Sequence, residues 1–141
     1  MKPFTRNATA AFTLLEIMLV VMIIALLAGS AIYLMRGNVE QAKFTRAETD
    51  IQNIMTQLQL YEVQNGTMPS TQQGLAALVA RPAGEPQPRK WRQLMPEVPL
   101  DPWGMEYQLR NPGMQSKAGY DVFSAGKDRQ VGTSDDIGNW N

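Results

Sequence analysis

The chain contains no cysteine and no histidine. The first absence excludes disulfides, thiol nucleophiles and thiolate metal sites. The second removes the commonest zinc ligand and the usual general base near neutral pH. Excess charge is missing as well: 13 basic and 13 acidic side chains cancel to a formal net charge of zero, which leaves nothing to draw the chain to nucleic acid or another polyanion. The length, 141 residues, suits one domain, and no internal repeat is visible. A small exported domain without disulfides has a modest core and needs another staple.

What is present is unevenly distributed. Hydrophobic residues make up 44% of the chain, and many of them fall in the run Phe12–Met35, whose single charge is Glu16. About 20 apolar residues in a helix cross a bilayer core, so residues 12–35 read as a transmembrane helix. A secretory signal peptide is the competing reading, but its apolar region is usually only about 7–15 residues long. Ala28-Gly29-Ser30 is also a poor cleavage site. Lys2 and Arg6 precede the run and Arg36, Lys43 and Arg46 come after it, so charge alone leaves the orientation open. The short leading stretch favours a cytoplasmic N-terminus with the rest of the chain exported. Glu16 either snorkels to the headgroups or meets a cation at similar depth in an assembly.

The helical pattern continues beyond this run. Ala47, Ile51, Ile54, Leu58 and Tyr61 recur at spacings of four, three, four and three, with Met55 beside them, and this is the core stripe of an amphipathic helix. Asn65-Gly66, with Pro69 shortly after, ends it. The expectation is one long helix from Phe12 to about Gln64, with Gly29-Ser30 as its weak point. Ser70-Thr71 is placed to cap a short helix from Gln73 to Val79, with Leu75, Leu78 and Val79 inward. A proline-rich loop runs from Arg81 to Pro99, in which Leu94 and Met95 suggest one more helical turn. Its Arg89-Lys90-Trp91-Arg92 reads as a solvated loop with an anchoring tryptophan rather than a nucleic-acid site. Asp101-Pro102-Trp103-Gly104 is a turn. Strands are expected at Glu106–Arg110, at Tyr120–Ser124 and near Ile137–Trp140. Helices first and strands afterwards give an α+β fold, a long N-terminal helix packed on a small antiparallel sheet.

The loop Gly126–Gly138 carries Asp128, Asp135 and Asp136. Three carboxylates so close repel one another unless neutralised, and calcium, which takes oxygen ligands from irregular loops, would answer that need. Aspartate and glycine are also ordinary turn residues, and the spacing is not that of an EF-hand. On spacing alone the turn reading is favoured.

Phe12-Thr13-Leu14-Leu15-Glu16-Ile17-Met18 resembles the mature N-terminus of type IV pilins and type II pseudopilins. Three later patterns resemble the major pseudopilins of type II secretion systems in particular. The first comprises Tyr61, Asn65-Gly66, Pro69, Thr71, Gln73-Gly74-Leu75 and Ala77-Leu78-Val79. The second comprises Pro99, Asp101-Pro102-Trp103-Gly104 and Tyr107, and the third is Asp135-Asp136-Ile137-Gly138-Asn139-Trp140. Together they cover nearly the whole chain. The resemblance implies a type IV pilin-like fold with residues 1–11 as a leader, 12–35 as a transmembrane and filament-core helix, and 36–141 as a periplasmic globular domain. It implies cleavage between Ala11 and Phe12 by a prepilin peptidase, N-methylation of Phe12, and a role for Glu16 in neutralising the terminal amine of a neighbouring subunit during assembly. It further implies a calcium ion held by the side chains of Asp128, Asp135 and Asp136 and the backbone carbonyls of Ala125, Gln130 and Thr133.

The implied function is structural. The chain would polymerise in the periplasm, in company with minor pseudopilins and an inner-membrane assembly platform, and drive folded proteins through an outer-membrane secretin. The chain departs from the family pattern at Ala11, where the family has glycine, and at Ala25 and Tyr33, where it often has glycine and proline. A type IV pilin for adhesion, motility or DNA uptake shares the N-terminal motif but lacks the later ones. A minor pseudopilin at the tip is a closer variant, although one minor subunit often varies at the glutamate that this chain keeps. A membrane-anchored enzyme is disfavoured, because there is no histidine, no cysteine and no evident pocket to tune a carboxylate.

Overall fold

The computed structural model describes residues 13–140, and their side chains apart from 31–38. The chain divides into two compact units, Met1–Glu40 and Gln41–Asn141. Helix α1 covers Leu14–Asn65, 52 residues without interruption. Thr13 begins it: both its carbonyl oxygen, at 3.1 Å, and its Oγ1, at 3.2 Å, accept the N–H of Glu16. Thr13-x-x-Glu16 is the capping-box spacing, and an acid in the first turn complements the helix dipole. The helix runs unbroken through its weak point at Gly29-Ser30. A single glycine costs about 1 kcal/mol in a helix, which weakens it without ending it, and Ser30 Oγ donates back to the Leu27 carbonyl at 2.8 Å. The helix ends at Asn65, where Gly66 takes φ +79° and donates its N–H to the Glu62 carbonyl at 2.7 Å.

In the first unit the apolar side chains are exposed from Leu14 through Leu27. Among the described residues no helix is long and apolar enough to cross a membrane. The helix also carries the Glu16 carboxylate in its first turn, where a hydrocarbon core would penalise it. The expected transmembrane helix over residues 12–35 is therefore corrected. So is the single-pass inner-membrane placement with a periplasmic domain, which rested on that helix.

The second unit has a continuous core. Ala47, Ile51, Ile54, Leu58 and Tyr61 are each at most 1% exposed. They pack with Leu75, Ala77 and Leu78 and with Trp103, Tyr107, Leu109, Tyr120, Val122 and Ile137. A polar contact ties the helix to the C-terminal half of the unit: the Tyr107 hydroxyl donates to Asp50 Oδ2 at 3.0 Å, a carboxylate that Arg46, one turn earlier on the same helix, approaches at 3.5 Å.

After the helix, Ser70 and Gln73 form a reciprocal cap. The Gln73 N–H reaches Ser70 Oγ at 3.2 Å, and the Ser70 N–H reaches Gln73 Oε1 at 3.1 Å. The expected helix over Gln73–Val79 is shortened to a 3-10 turn, Leu75–Leu78, because Gly74 has φ +57°, outside the helical region. Gln73 Nε2 pins the proline-rich loop through the carbonyls of Gly84 and Pro86, and Trp91 Nε1 donates to the Ala77 carbonyl at 2.8 Å. Leu94 and Met95 form no helical turn; both N–H groups donate to the Leu78 carbonyl.

Three short strands close the unit: β1 Gln108–Arg110, β2 Asp121–Ser124 and β3 Ile137–Gly138, all antiparallel in the order β1-β2-β3. Glu106 lies outside β1 and bridges to Leu100 instead. Every residue of β2 is buried. Val122 enters the main core, while Phe123 is covered by the Arg110 guanidinium, 5.1 Å from its ring centre, and by Trp140 at 5.7 Å. The class is α+β, with a small three-stranded antiparallel sheet.

Candidate functional site

Two regions carry the residues singled out in the sequence. At the N-terminal end, Ala11 and Phe12 lie outside the described residues. Glu16 sits exposed in the first turn of α1. The side chains after it, among them Leu19, Met22, Ile23 and Leu26, present an apolar surface all round the helix. A surface of that kind marks a binding face rather than a solvated one.

The C-terminal loop is arranged differently from the expected calcium site. Among the described residues, no group of three histidine, cysteine, aspartate or glutamate side chains is placed to hold a metal ion. Each carboxylate is engaged by the loop itself. Asp128 Oδ1 accepts the Gln130 N–H at 2.8 Å, and Asp136 Oδ2 accepts the Gly132 N–H at 2.8 Å. Asp135 accepts the Thr133 hydroxyl on Oδ1 at 2.6 Å and the Asp128 N–H on Oδ2 at 3.0 Å. The Thr133 hydroxyl and then the Asp128 N–H hold the Asp135 carboxyl below its ordinary pKa. Of the expected carbonyl ligands, Gln130 faces the Thr133 hydroxyl at 3.1 Å, Thr133 accepts the Asp136 N–H at 3.4 Å, and Ala125 is buried at the end of β2. The repulsion that suggested a cation is thus answered by local donors. The assignment of Asp128, Asp135, Asp136, Ala125, Gln130 and Thr133 to calcium, and the metal-binding loop as part of the fold, are corrected.

The family model for type II secretion system protein G matches residues 34–140. The type II secretion system core protein G of Pectobacterium carotovorum is 46% identical over 132 residues, covering 92% of this chain and 83% of that one. The Pseudomonas aeruginosa core protein G is 44% identical over 140 residues, covering 96% and 97%. A crystal structure of the major pseudopilin from the type 2 secretion system of enterohaemorrhagic Escherichia coli superposes with a TM-score of 0.69 at 42% identity, covering 74% of this chain and 92% of that one. The chain belongs to the type II secretion system protein G family. It is a structural pseudopilin subunit of a pseudopilus and not an enzyme, which confirms the resemblance read from the sequence motifs.

In this protein G family member, buried aspartates outside the acidic loop organise the C-terminal half. Asp101 Oδ1 accepts the N–H groups of Trp103 and Met105, and Oδ2 accepts the Ser124 hydroxyl. Ser124 Oγ in turn accepts the Gly126 N–H at 3.0 Å, linking the Asp101–Gly104 turn to the start of the acidic loop. Gly126 has φ +65°, and a Cβ there would overlap the backbone of Asp135, so the loop closes on a glycine. Asn139 ties down the far end: it pairs with Val122 through backbone and side chain and donates from Nδ2 to the Tyr120 carbonyl. The sequence marks Asp101 as a turn residue within a family pattern and gives Asp121 no role. The available signal is an acid directly before the apolar pair Val122-Phe123 of a strand, where burial demands donors.

Proposed function

We propose that the chain polymerises with copies of itself through the exposed apolar half of α1, after its leader is removed. The observation that supports this reading is the run of apolar side chains from Leu14 to Leu27, all exposed in the isolated subunit. Bundling such helices removes that surface from water, worth about 25 cal/mol per Å² of apolar area. In this reading residues 1–11 are the leader, 12–35 the filament-core helix and 36–141 the globular domain. The prepilin peptidase cuts between Ala11 and Phe12, and the new Phe12 amine is methylated. Glu16 of one copy then meets the amine of another and sets their stagger, since two opposite charges attract strongly in a low-dielectric bundle. The Thr13 cap on the Glu16 N–H fixes the first turn without using the carboxylate. Minor pseudopilins and the inner-membrane assembly platform are the expected companions, and the growing filament drives folded proteins through the secretin.

The test is Glu16→Leu in a secreting cell, with filament length and exported protein as readouts. Loss of both is expected. Normal elongation and export would overturn the role of Glu16. Intact mass of the wild-type protein checks processing: loss of Met1–Ala11 plus one methyl group is expected, and retention of Met1 would refute it.

A further inference from the structure

The carboxylate of Asp121 is fully buried and gathers a whole turn around itself. It accepts the N–H of Met114 at 2.7 Å, of Gln115 at 3.2 Å and of Ser116 at 2.8 Å. Gly113 lies so close beneath that a Cβ there would fall 2.7 Å from Tyr120 Cα and 2.8 Å from Asp121 Oδ1. Three consecutive N–H groups aimed at one anion form a backbone nest. The charged side chain facing the carboxylate is Arg110 of β1, at 3.7 Å. The loop meets it with backbone N–H groups, and β3, Ile137–Gly138, has no titratable side chain. The loop reaches one step further, since the Ser116 hydroxyl lies 3.5 Å from the Asn139 carbonyl, beside Trp140.

We propose that Asp121 is an acid-operated latch, and that its protonation releases the Gly113–Ser116 loop while the sheet behind it stays folded. Protonation removes the charge that strengthens the three N–H bonds and turns one carboxyl oxygen into an O–H donor aimed at an N–H, so the nest keeps a single neutral acceptor oxygen where it had two charged ones. The loop has little else to hold it. Met114 is 80% exposed. Besides the Asp121 bonds, residues 113–116 are held by the Gly113–Gly119 bond, the Gly119–Ser116 bond and those of the Ser116 hydroxyl. The neighbouring strands, by contrast, keep their ladder and core through Leu109 and Val122. Burial raises the affinity of Asp121 for a proton, but the three N–H groups and Arg110 outweigh it and leave the group titrating below its ordinary value. The latch is therefore closed at neutral pH and opens only in acid.

The test is a pH titration of the purified full-length chain by amide NMR, comparing Met114, Gln115 and Ser116 with Leu109 and Val122. The loop amides are expected to move together with one midpoint below about 3.9, the ordinary aspartate value, and to become mobile while the strand amides keep their positions. Arg110→Gln is expected to raise that midpoint and leave the loop closed at pH 7. Asp121→Asn is expected to leave the loop mobile at every pH, with no titration step. Loop amides that stay fixed down to pH 2, or loop and strand amides lost at one shared midpoint, would overturn the latch. An unchanged midpoint in Arg110→Gln would also overturn it, and that variant decides the matter if Asp121→Asn fails to fold.

Discussion

The two halves of α1 share one backbone conformation and almost nothing else. From Leu14 to Leu27 the apolar side chains point in every direction and are all exposed. From Ala47 to Tyr61 the stripe Ala47, Ile51, Ile54, Leu58 and Tyr61 lies on a single face and is buried. The difference teaches that helix formation and burial are separate decisions. The first half is left uncovered among the described residues, whereas the second half is covered by its own sheet, its 3-10 turn and the loop carrying Trp103. Under the proposed function, a substitution in one half is read in assembly, and in the other in subunit stability.

The sharpest way to break this comparison is a matched pair of truncations. Leu58→Ala, at a position with 0% exposure, is expected to destabilise the subunit by about 3 kcal/mol, through lost burial and the cavity left behind. Leu26→Ala, at 73% exposure, is expected to change subunit stability by less than about 0.5 kcal/mol. Urea unfolding of the two variants measures both, and equal losses would refute the division.

A somewhat smaller effect is expected at Asp121. Asp121→Ala leaves three N–H groups and Arg110 without their acceptor and is expected to cost about 2–3 kcal/mol at pH 7. Its proton affinity is lowered in the folded state, so the carboxylate's contribution is complete above the unfolded value of about 3.9 and disappears as the pH falls through the folded value. The urea midpoint of the wild type should be flatter between pH 7 and 5 than below 4, and Asp121→Asn should lose part of the steep acid limb.

A more local effect is expected at the start of the exposed half. Thr13→Ala removes the side-chain acceptor for the Glu16 N–H and is expected to cost about 0.5–1 kcal/mol of local helix stability. That change should appear as fraying of the first turn in amide exchange, with the global urea midpoint unmoved.

Much of the fold is legible in the sequence because it obeys local rules. The stripe through Ile51, Ile54 and Leu58 is a matter of periodicity, and the stop at Asn65-Gly66 is a matter of glycine's access to positive φ. The capping spacing Thr13-x-x-Glu16 is also readable, although Glu16 draws attention first as a charge in an apolar run. Other features are not legible. The shortened helix at Gly74, the extended path of Leu94 and Met95 and the engagement of the acidic loop all depend on which donor a given oxygen meets. As a string of residues Asp128, Asp135 and Asp136 admit a cation site as well as the favoured turn reading, and their placement distinguishes the two.

By itself, then, the sequence determined the long helix, the one-sided stripe of its second half, the α+β order of elements and, through its motifs, the pseudopilin family. The tertiary structure alone decided which carboxylates became structural centres. Asp101 and Asp121 are buried and organise the turns around them, while the loop aspartates close their own local turns. The reason is that periodicity is encoded in neighbouring residues, whereas the partners of a buried charge come from segments that only the folded chain brings together.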